Sequence, residues 1–454
     1  MATGSFLVGA ATSNSGKTTF TMGLLRILRR HGLEVQPYKC GPDYIDTMFH
    51  HLACGRESIN LDTFMASDAH VTEIFNRYGN GADVRVVEGV MGIYDGYNKS
   101  QGSSAETAML LDIPVILLIN ARQAAYTAAP QIYGFKHFNP RLKLAGVVFN
   151  MVASERHYNT LCSACHDVGV PCLGYMARNP QLIIPNRHLG LTISAREETE
   201  SLIELAAQEV EKHVDLDRLL DIIHEDTVVT ANYNIHADKS SSKDENPPNL
   251  NNGATHKTKI AIAQDEAFNF TYKANVDKLA ETGVVTFFSP LRDAVLPQCD
   301  MLYLPGGYPE LFALELSSNT SMRDSIKEYA ERGGVVYAEC GGFMYLCKDI
   351  DGAEMCDVLP LKATMQDAHL HLGYRYMLWH DQIIKGHEFH YSDIIPQKVP
   401  DNITVLQGQL SASGEAVPTP IYRYKNVIAG YTHWYWAEGG LFLNPPLIEV
   451  SCNI

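Results

Sequence analysis

Apolar and polar residues follow two alternating periods along this chain. Short runs rich in Val, Ile and Leu, each about as long as a buried strand, are separated by longer stretches with the period of an amphipathic helix. The runs in the first half include VRVVEG (84–89), PVILLIN (114–120) and LAGVVFN (144–150). Those in the second half include IAIAQ (260–264), MLYLPGG (301–307) and GVVYAECGG (334–342). The alternation predicts an α/β fold with a parallel sheet in each half.

One polar segment interrupts this pattern. Residues 230–258 (TANYNIHADKSSSKDENPPNLNNGATHKT) are rich in Asn, Ser, Asp and Lys and have almost no large apolar side chains. Such a segment cannot bury enough apolar surface to fold, so its composition predicts a flexible linker. No internal repeat relates the two halves. We therefore predict a first domain over 1–229, a linker over 230–258 and a second domain over 259–454.

Charge and cysteine usage limit the classes of function. The formal net charge of the 454 residues is −16, which makes non-specific binding to nucleic acid or to anionic membranes unfavourable. No apolar run approaches the roughly 18 to 20 residues that span a bilayer, and the N-terminal segment lacks the features of a signal peptide. Without an export signal, ten scattered cysteines indicate reduced thiols rather than a disulfide framework. We expect a cytoplasmic protein.

A short cysteine motif matches parts of two known kinds of cofactor site. Cys162, Cys165 and His166 match the attachment pattern of a c-type haem and half of a zinc site. Haem attachment requires export, and a closed zinc site requires four ligands, whereas no second pair follows at zinc-finger spacing. We interpret the motif as two thiols on an ordinary helix.

The first half opens with the parts of a phosphate-binding loop. A strand over Ser5–Val8 leads into Gly9-Ala10-Ala11-Thr12-Ser13-Asn14-Ser15-Gly16-Lys17-Thr18-Thr19, and an amphipathic helix that stops at Gly32 follows. In such a loop the backbone N–H groups and the helix N-terminus face phosphates, Lys17 reaches the terminal phosphates and Thr18 binds Mg²⁺. The strict pattern has glycine where this chain has Ala11. The strand, loop and helix in this order nevertheless predict an ATP site.

Four acidic residues follow predicted strands in the first half: Asp43, Asp46, Glu88 and Asp95. Ligands of an open parallel sheet bind at the carboxyl ends of its strands, so these acids are expected beside the phosphate loop. Carboxylate oxygens are suitable ligands for Mg²⁺. An Asp beside Gly or Pro is also a common helix cap or turn former. Glu88 closes an apolar strand, which is the position of a Walker-B acid.

Several motifs of the first half resemble, in order, the synthetase domain of the cobyrinic acid a,c-diamide synthase family. They are GPDYIDTMFH (41–50), VVEGVMGIYDG (86–96), GSSAETAMLLDIPVILLIN (102–120), GVVFNMV (146–152) and PNRHLGL (185–191). The resemblance extends through the second half and covers nearly the whole chain except the linker. It implies a dethiobiotin-synthetase-like P-loop NTPase domain followed by a class I glutaminase α/β domain.

The second half carries a cysteine in the setting of a nucleophile. Cys340 lies between small residues at a strand-to-helix turn, the arrangement of a nucleophile elbow. A thiolate there attacks the side-chain amide of glutamine, and the N–H groups of Gly307, in the Gly306–Gly307 loop, and of Gly341 are candidates for the oxyanion hole. Ammonia then leaves, and a glutamyl thioester remains on the cysteine.

The base for this cysteine is predicted to be His433, which follows the apolar VIAGY run. The commonest class I glutaminase pattern has a Glu two positions after the histidine, whereas this chain has Tyr435 there. The cobyrinic and cobyric acid synthase branch, which this sequence resembles, also lacks that Glu. The group that orients the histidine is therefore open at this point, with Glu438 and Glu388 as candidates.

Three further segments of the second half resemble the family: 263–270, 288–290 and 386–392. We interpret them as structural or substrate-facing. Within the third segment, His387, Glu388 and His390 imitate a metal site, but the family is not known for a metal there. A strand or turn lining the domain interface is the preferred interpretation.

The resemblance implies ATP- and glutamine-dependent amidation of the a and c carboxylates of cobyrinic acid in cobalamin biosynthesis. ATP phosphorylates a carboxylate, and ammonia released at Cys340 displaces the phosphate. The hypothesised roles in the first half are ATP binding by Ser15, Gly16, Lys17, Thr18, Thr19 and Asn150 (at the adenine), Mg²⁺ binding by Thr18, Asp43 and Glu88, and carboxylate positioning by Asp46 and Asp95. The partners are thus ATP, L-glutamine and a corrin-type macrocycle, with no nucleic acid and no membrane, and with Mg²⁺ as cofactor.

Two alternatives stay open at the level of sequence. A sister amidotransferase for hydrogenobyrinic acid, nickel-sirohydrochlorin or cobyric acid would use the same parts. A P-loop switch ATPase shares the first-half architecture, but that class has a signature lysine early in the loop, where this chain has Thr12, and it has no use for Cys340. Quaternary structure, with a homodimer as one option, and the choice between ATP and GTP are likewise open.

Overall fold

The computed structural model describes the chain over residues 4–184, 193–224, 257–379, 382–395 and 398–439, with backbone only at 193–196. The predicted linker, except Lys257 and Thr258, and the PNRHLGL segment lie outside the described residues. The described residues form two compact units. One consists of residues 4–63 and 68–224, and the other of residues 64–67 and 257–439.

Strands and helices alternate in the first unit. They are β1 (Gly4–Ala10), α1 (Lys17–Arg30), β2 (Val35–Cys40), α2 (Ile45–Cys54), β3 (Ile59–Leu61), α3 (Asp68–Tyr78), β4 (Val84–Glu88), α4 (Ser104–Leu110), β5 (Val115–Asn120), α5 (Ala128–Phe138), β6 (Leu144–Val152), α6 (Glu155–Val168), β7 (Cys172–Ala177), a 3-10 turn (Pro180–Leu182), α7 (Ile193–His213) and α8 (216–224).

The seven strands of this unit form one parallel sheet in the order β3-β2-β4-β1-β5-β6-β7. The parallel sheet predicted from the apolar runs is therefore confirmed. Strand β1 lies in the middle, between β4 and β5, and is buried along almost its whole length. Its central position brings the loop after β1 close to the carboxyl ends of its neighbours, where ligands of such sheets bind.

Helix α1 ends where the sequence predicts. Its last turn carries Arg29 and Arg30, which suit the negative end of the helix dipole, and Gly32 follows with a φ of 80°. On its buried face Gly23 lies against α7, and a Cβ at this position would come within 2.7 Å of the Ala206 carbonyl carbon. The glycine therefore permits the close packing of the two helices.

The second unit is also α/β but contains more strands. Its elements are β8 (Thr258–Ala263), α9 (Lys273–Thr282), β9 (Gly283–Phe288), β10 (Met301–Leu304), a 3-10 turn (Pro309–Phe312), α10 (Ala313–Ser318), α11 (Thr320–Glu331), β11 (Val335–Glu339), α12 (Gly341–Leu346), β12 (Asp349–Ile350), β13 (Ala353–Glu354), β14 (Lys362–Thr364), β15 (His371–Trp379), β16 (Gln382–His390), β17 (Asp393–Ile394), β18 (Thr404–Leu406), β19 (Leu410–Ser411), β20 (Ile421–Tyr424), β21 (Val427–Gly430) and β22 (His433–Tyr435).

The main sheet of this unit has the order β18-β20-β21-β11-β10-β8-β9. Strands β21, β11, β10, β8 and β9 pair in parallel, as the sequence predicts, and β20 and β18 extend the sheet antiparallel. Two four-stranded sheets accompany it, in the orders β13-β12-β14-β17 and β19-β15-β16-β22. The second of these carries the start of β22, where His433 lies.

Each unit has its own buried core of aliphatic and aromatic side chains. In the part of the chain that the structure covers, no helix has both the length and the apolar character needed to cross a bilayer.

Candidate active sites

The loop between β1 and α1 has the conformation of a phosphate cradle. Gly16 has a φ of 89°, which disfavours any residue with a side chain, and a Cβ there would overlap Nδ2 of Asn150. The Ser15 hydroxyl donates to the Thr12 carbonyl at 2.7 Å, and Asn150 Nδ2 donates to the Ser15 carbonyl at 2.8 Å. These bonds fix the loop before any ligand binds.

Asn150 has both ends of its amide engaged by backbone. Its Nδ2 supports the loop, and its Oδ1 accepts from the Met151 N–H at 2.8 Å. The structure thus shows Asn150 as a brace for the phosphate loop. The predicted contact between Asn150 and adenine stays a prediction.

Lys17 begins α1 and donates from its Nζ to the Met91 carbonyl. Burial, together with the nearby ammonium of Lys39, lowers the pKa of Lys17. A bound phosphate would stabilise the charged form of Lys17, because it brings negative charge to two buried ammonium groups. The electrostatics of the loop therefore favour an anionic ligand.

Glu88 is the centre of a buried polar cluster at the end of β4. Its side chain is 0% exposed, and it accepts from the Thr18 hydroxyl at 2.9 Å, from Lys39 Nζ at 2.9 Å and pairs with His50 Nε2 at 2.7 Å. Burial acts to raise the pKa of Glu88, but Lys39 and His50 outweigh it and hold the pKa well below its usual range. The carboxylate is ionised, and both of its oxygens have protein partners.

Lys39 forms ion pairs with two of the four predicted acids. It is buried at the end of β2 and pairs with both Asp46 and Glu88. Burial acts to lower the pKa of Lys39, but the carboxylates of Asp46 and Glu88 outweigh it and raise the pKa above its usual value. Lys39 and His50 were not among the site residues predicted from the sequence. The available signal was that both lie in the same short segment as Asp43 and Asp46.

Two of the predicted acids make local contacts. Asp43 Oδ1 accepts from the N–H groups of Ile45 and Asp46, both at 2.9 Å, and so caps the start of α2. Asp95 Oδ2 accepts from the Gly92 N–H at 3.0 Å within its own turn. The cap and the turn both belong to loops that follow strands of the sheet, and they fix the directions of these carboxylates.

The oxygen atoms at Thr18 and Glu88 suit a small divalent ion. Neighbouring ligands of an octahedral Mg²⁺ with bonds of about 2.1 Å lie roughly 3 Å apart. Thr18 Oγ1 and Glu88 Oε1 are separated by 2.9 Å. The donor set is composed of hard oxygens, so its chemistry and spacing fit Mg²⁺, provided that the Lys39 ammonium, which bonds to the same Glu88 oxygen at 2.9 Å, gives up that bond.

In the second unit Cys340 lies on the predicted turn between β11 and α12. Its backbone angles, φ 45° and ψ −107°, are strained for a residue with a side chain. The Cys340 N–H donates to the Gly430 carbonyl at 2.8 Å, and its own carbonyl accepts from the Met344 N–H at 2.9 Å. Strain at a cysteine that links a strand to a helix is the hallmark of a nucleophile elbow.

The glycines around the elbow are required by close packing. A Cβ on Gly341 would lie 2.9 Å from the Gly307 backbone nitrogen, and a Cβ on Gly342 would overlap the Leu304 carbonyl oxygen. The Gly307 N–H therefore lies beside the turn that carries Cys340. This is the arrangement expected of the two predicted oxyanion-hole donors, Gly307 and Gly341.

The thiol of Cys340 is buried, and burial, with the nearby Glu310, raises its pKa well above the usual range. Burial also raises the pKa of Glu310, to about 7. A thiol of this kind is protonated at neutral pH. It needs a neighbouring base to become a nucleophile.

His433 is the candidate base and is 1% exposed at the start of β22. Its ring packs against Gly306, where a Cβ would overlap its Cε1. It also stacks on His387 with ring centroids 4.9 Å apart, and His387 Nδ1 bonds to the Tyr272 hydroxyl at 2.8 Å. Burial and the neighbouring His433 lower the pKa of His387 well below its usual value, so the stacked ring is neutral.

The two carboxylates proposed to orient His433 have other partners. Glu388 binds Arg375 Nε at 2.6 Å and His390 Nε2 at 2.7 Å. Glu438 accepts from the Ser67 N–H at 2.8 Å. The carboxylate that lies beside the His433 ring is instead Glu339, with Oε2 at 3.7 Å from Nδ1. Glu339 was not among the site residues predicted from the sequence, although it directly precedes Cys340.

Two groups of side chains in the described residues have the spacing of metal ligands: His369, His371 and Asp393, and His371, Glu388 and His390. In the second group the Glu388 carboxylate is already bonded to Arg375 and Thr419. An adjacent guanidinium opposes binding of a cation at this group. The interpretation of the 386–392 segment as structural or substrate-facing stays a prediction.

The cysteine motif of the first unit lies on a helix, as predicted. Cys162, Cys165 and His166 are part of α6. Cys162 Sγ lies 3.3 Å from Cys172 Sγ on β7, while His166 is exposed and pairs with Asp167. The histidine and the thiols therefore have separate partners.

Comparison with known proteins identifies both halves of the chain. A family model described as the CobQ/CobB/MinD/ParA nucleotide binding domain matches residues 6–191. A second model, the CobB/CobQ-like glutamine amidotransferase domain, matches residues 259–440.

Curated relatives are similar to the chain along nearly its whole length. The cobyrinate a,c-diamide synthase of Salmonella typhimurium is 37% identical over 455 residues, and that of Picrophilus torridus is 38% identical over 451 residues, each match covering 95% of both chains. The hydrogenobyrinate a,c-diamide synthase of Brucella suis is 38% identical over 443 residues, covering 94% of this chain and 97% of the relative.

Proposed function

The chain belongs to the family of cobyrinate and hydrogenobyrinate a,c-diamide synthases, and we propose that it converts the a and c side-chain carboxylates of cobyrinic acid into carboxamides with ATP and glutamine. The single observation that carries the proposal is the strained, buried Cys340 on a strand-to-helix turn, in a chain that also has a pre-formed phosphate loop. A nucleotide-binding domain alone has no use for such a cysteine.

The second unit supplies ammonia. The Cys340 thiol transfers its proton to His433, and Sγ attacks the side-chain amide carbon of glutamine. The negative charge that develops on the amide oxygen is stabilised by the N–H groups of Gly307 and Gly341. The imidazolium of His433 returns the proton to the departing nitrogen, which leaves as ammonia, and water then hydrolyses the glutamyl thioester to glutamate and free thiol.

The first unit activates the carboxylate. A carboxylate is a poor electrophile, and transfer of the terminal phosphoryl group of ATP to its oxygen gives an acyl phosphate that ammonia attacks, with release of phosphate. The proposed ATP-binding residues are Ser15, Gly16, Lys17, Thr18, Thr19 and Asn150. The macrocycle carboxylate is positioned by Asp46 and Asp95, each of which is held by a contact in the structure.

Thr18 and Glu88, with Asp43 nearby in the strand-end cluster, would hold Mg²⁺. When bound, the ion supplies neutralisation of the charge on the transferring phosphoryl group. Lys17 and Lys39 add two fixed positive charges to the same cluster. Glu88 is already ionised, and ligation of the ion requires the bond between Lys39 Nζ and Glu88 Oε1 to open.

The reaction is proposed to take place in the cytoplasm. Nine cysteines of the described residues carry free thiols, and a reducing compartment maintains that state.

Hydrogenobyrinic acid is the second candidate substrate, because relatives named for it are as similar to this chain as those named for cobyrinate. In the test, the full chain is incubated with ATP, Mg²⁺ and nitrogen-labelled glutamine. The macrocycle added is cobyrinic acid, hydrogenobyrinic acid or nickel-sirohydrochlorin. Mass spectrometry counts the labelled carboxamides. We expect two on cobyrinic acid and then no further reaction. If only another macrocycle were amidated, that macrocycle would be the substrate and the proposed mechanism would be retained.

A variant separates the two half-reactions. We expect Cys340→Ser to abolish amidation with glutamine and to leave amidation with ammonium chloride unchanged, because the first unit is untouched. Cys347→Ser is the matched control, since this cysteine is also buried in the second unit but lies at the other end of α12. Equal glutamine-dependent rates in the wild type and in Cys340→Ser would exclude Cys340 as the nucleophile.

A further inference from the structure

Glu339 is the last residue of β11 and directly precedes the proposed nucleophile. Its side chain is 2% exposed, and its carboxylate is held by three donors. The Tyr303 hydroxyl donates to Oε2 at 2.8 Å, the Trp434 N–H donates to Oε1 at 2.8 Å, and the Tyr337 hydroxyl also donates to Oε1. Donors on two neighbouring strands and on β22 thus fix both oxygens of a buried carboxylate.

One oxygen of this carboxylate faces the catalytic histidine. Oε2 lies 3.7 Å from His433 Nδ1. This is longer than a hydrogen bond, but catalytic hydrogen bonds are often long before substrate binds and tighten in the Michaelis complex. The Trp434 N–H bond acts on the residue next to His433, so Glu339 also fixes the backbone that carries the imidazole.

We infer that Glu339 is the positioning residue that orients His433 for glutamine hydrolysis, in the place of the carboxylate that other class I glutaminases have two positions after the histidine. The inference rests on the proposed function, because it needs His433 to act as base for Cys340. A bond from Nδ1–H to Oε2 leaves Nε2 as the nitrogen that takes the thiol proton, and it stabilises the imidazolium that results.

The residue two positions after His433 supports the assignment of Glu339. Tyr435 stands where the usual carboxylate would be, and its ring packs on Tyr272. Strand β11 instead provides a carboxylate beside the same imidazole. Other charged or titratable groups of the described residues also lie near the pair. The Tyr303 and Tyr337 hydroxyls bond to Glu339, and His387 stacks on His433 with Arg375 near it. Glu310 and Glu388 act on Cys340.

The test is Glu339→Gln in the full chain, assayed for glutamine hydrolysis from pH 5 to pH 10. We expect kcat to fall on the order of 100-fold with little change in KM, because orientation of the base acts on the chemical step. Loss of the negative charge also favours the neutral imidazole. The acid limb of the kcat/KM profile should therefore move to lower pH, which a purely structural role would not produce.

Two tyrosine variants form a matched pair. Tyr303→Phe removes the donor to Oε2, the oxygen that faces His433, whereas Tyr337→Phe removes a donor to Oε1. Both delete one buried hydroxyl beside the same carboxylate. We expect Tyr303→Phe to lower kcat and move the pH profile more than Tyr337→Phe does. If Glu339→Gln does not fold, this pair of variants still tests whether Glu339 orients His433.

The outcomes separate this inference from the proposed function. If the wild type does not hydrolyse glutamine, the proposed function fails. If the wild type is active and Glu339→Gln keeps its kcat and its pH profile, only the role of Glu339 is overturned. Equal effects of Tyr303→Phe and Tyr337→Phe on the pH profile would likewise overturn it. Amidation with ammonium chloride should stay at the wild-type rate in all three variants.

Discussion

Glu388 should make the stability of the second unit depend on pH in a predictable way. The side chain is 1% exposed and is bonded to Arg375, His390 and Thr419. Burial acts to raise the pKa of Glu388, but His390 and Arg375 outweigh it and lower the pKa from 4.5 to about 2. The perturbation is Glu388→Gln, which keeps the shape of the side chain and removes its charge.

The size of the effect follows from the difference between the two states. A pKa that is lower by about 2.5 units when folded corresponds to about 3 kcal/mol of stability from the ionised carboxylate. This contribution is fully present above the unfolded pKa of 4.5 and is lost as the pH falls towards 2, because the unfolded chain takes up the proton first. Between pH 5 and pH 3 the loss is about 2 kcal/mol.

The assay is urea unfolding followed by tryptophan fluorescence. All three tryptophans, Trp379, Trp434 and Trp436, belong to the second unit, so their emission reports on that unit in the full chain. We expect Glu388→Gln to be less stable than the wild type at pH 7 by about 3 kcal/mol. The gap should narrow by about 2 kcal/mol between pH 5 and pH 3.

The control is Glu328→Gln, in which the removed carboxylate is 71% exposed and lies 3.9 Å from Arg332. An exposed pair of this kind contributes little, so its stability should follow the wild type at every pH. A constant difference in unfolding free energy between Glu388→Gln and the wild type from pH 5 to pH 3 would contradict the electrostatic origin of this stability. It would mean that the substitution acts through packing and that the pKa of Glu388 is not depressed.

Three further predictions concern other parts of the chain. Gly342→Ala places a Cβ against the Leu304 carbonyl and should cost roughly 3 kcal/mol, measured by urea unfolding. The control is Gly439→Ala, because an added Cβ there meets nothing within 4 Å and the residue has no positive φ; equal stability of the two variants would contradict the predicted clash. Gly16→Ala should raise KM for ATP at least about tenfold while glutamine hydrolysis is unchanged, since φ at Gly16 is 89°; unchanged ATP kinetics would show that the loop adapts. The thiol of Cys165 donates to Cys172 and, against burial, lowers the pKa of Cys172 to about 6, so that iodoacetamide at pH 7 should modify Cys172 first, as read by peptide mass spectrometry; earlier labelling of another cysteine would contradict this.

Local signals were sufficient to predict the elements that carry the chemistry. Apolar runs predicted β4, β5 and β6, and the small residues around Lys17 and Cys340 predicted the two turns, because each depends on the residues next to it. The comparisons confirm the α/β fold of both halves and the family.

The missed residues depend on which strands are neighbours. Lys39 and Glu88 are partners because β2 and β4 pair in the register that places them opposite each other. Nothing in the sequence near either residue specifies that register. Glu339 was missed for a similar reason, because its relation to His433 arises only when β22 returns beside the end of β11.

The backbone of Cys340 is anchored in the interior of the main sheet. Its amide donates to Gly430 on β21, while the next strand on the other side of β11 is β10. Amides in such central strands exchange with solvent deuterium only when a large part of a domain opens. The proposed nucleophile is therefore held by a part of the unit that is expected to open last, so local opening of the surrounding loops leaves its backbone in place.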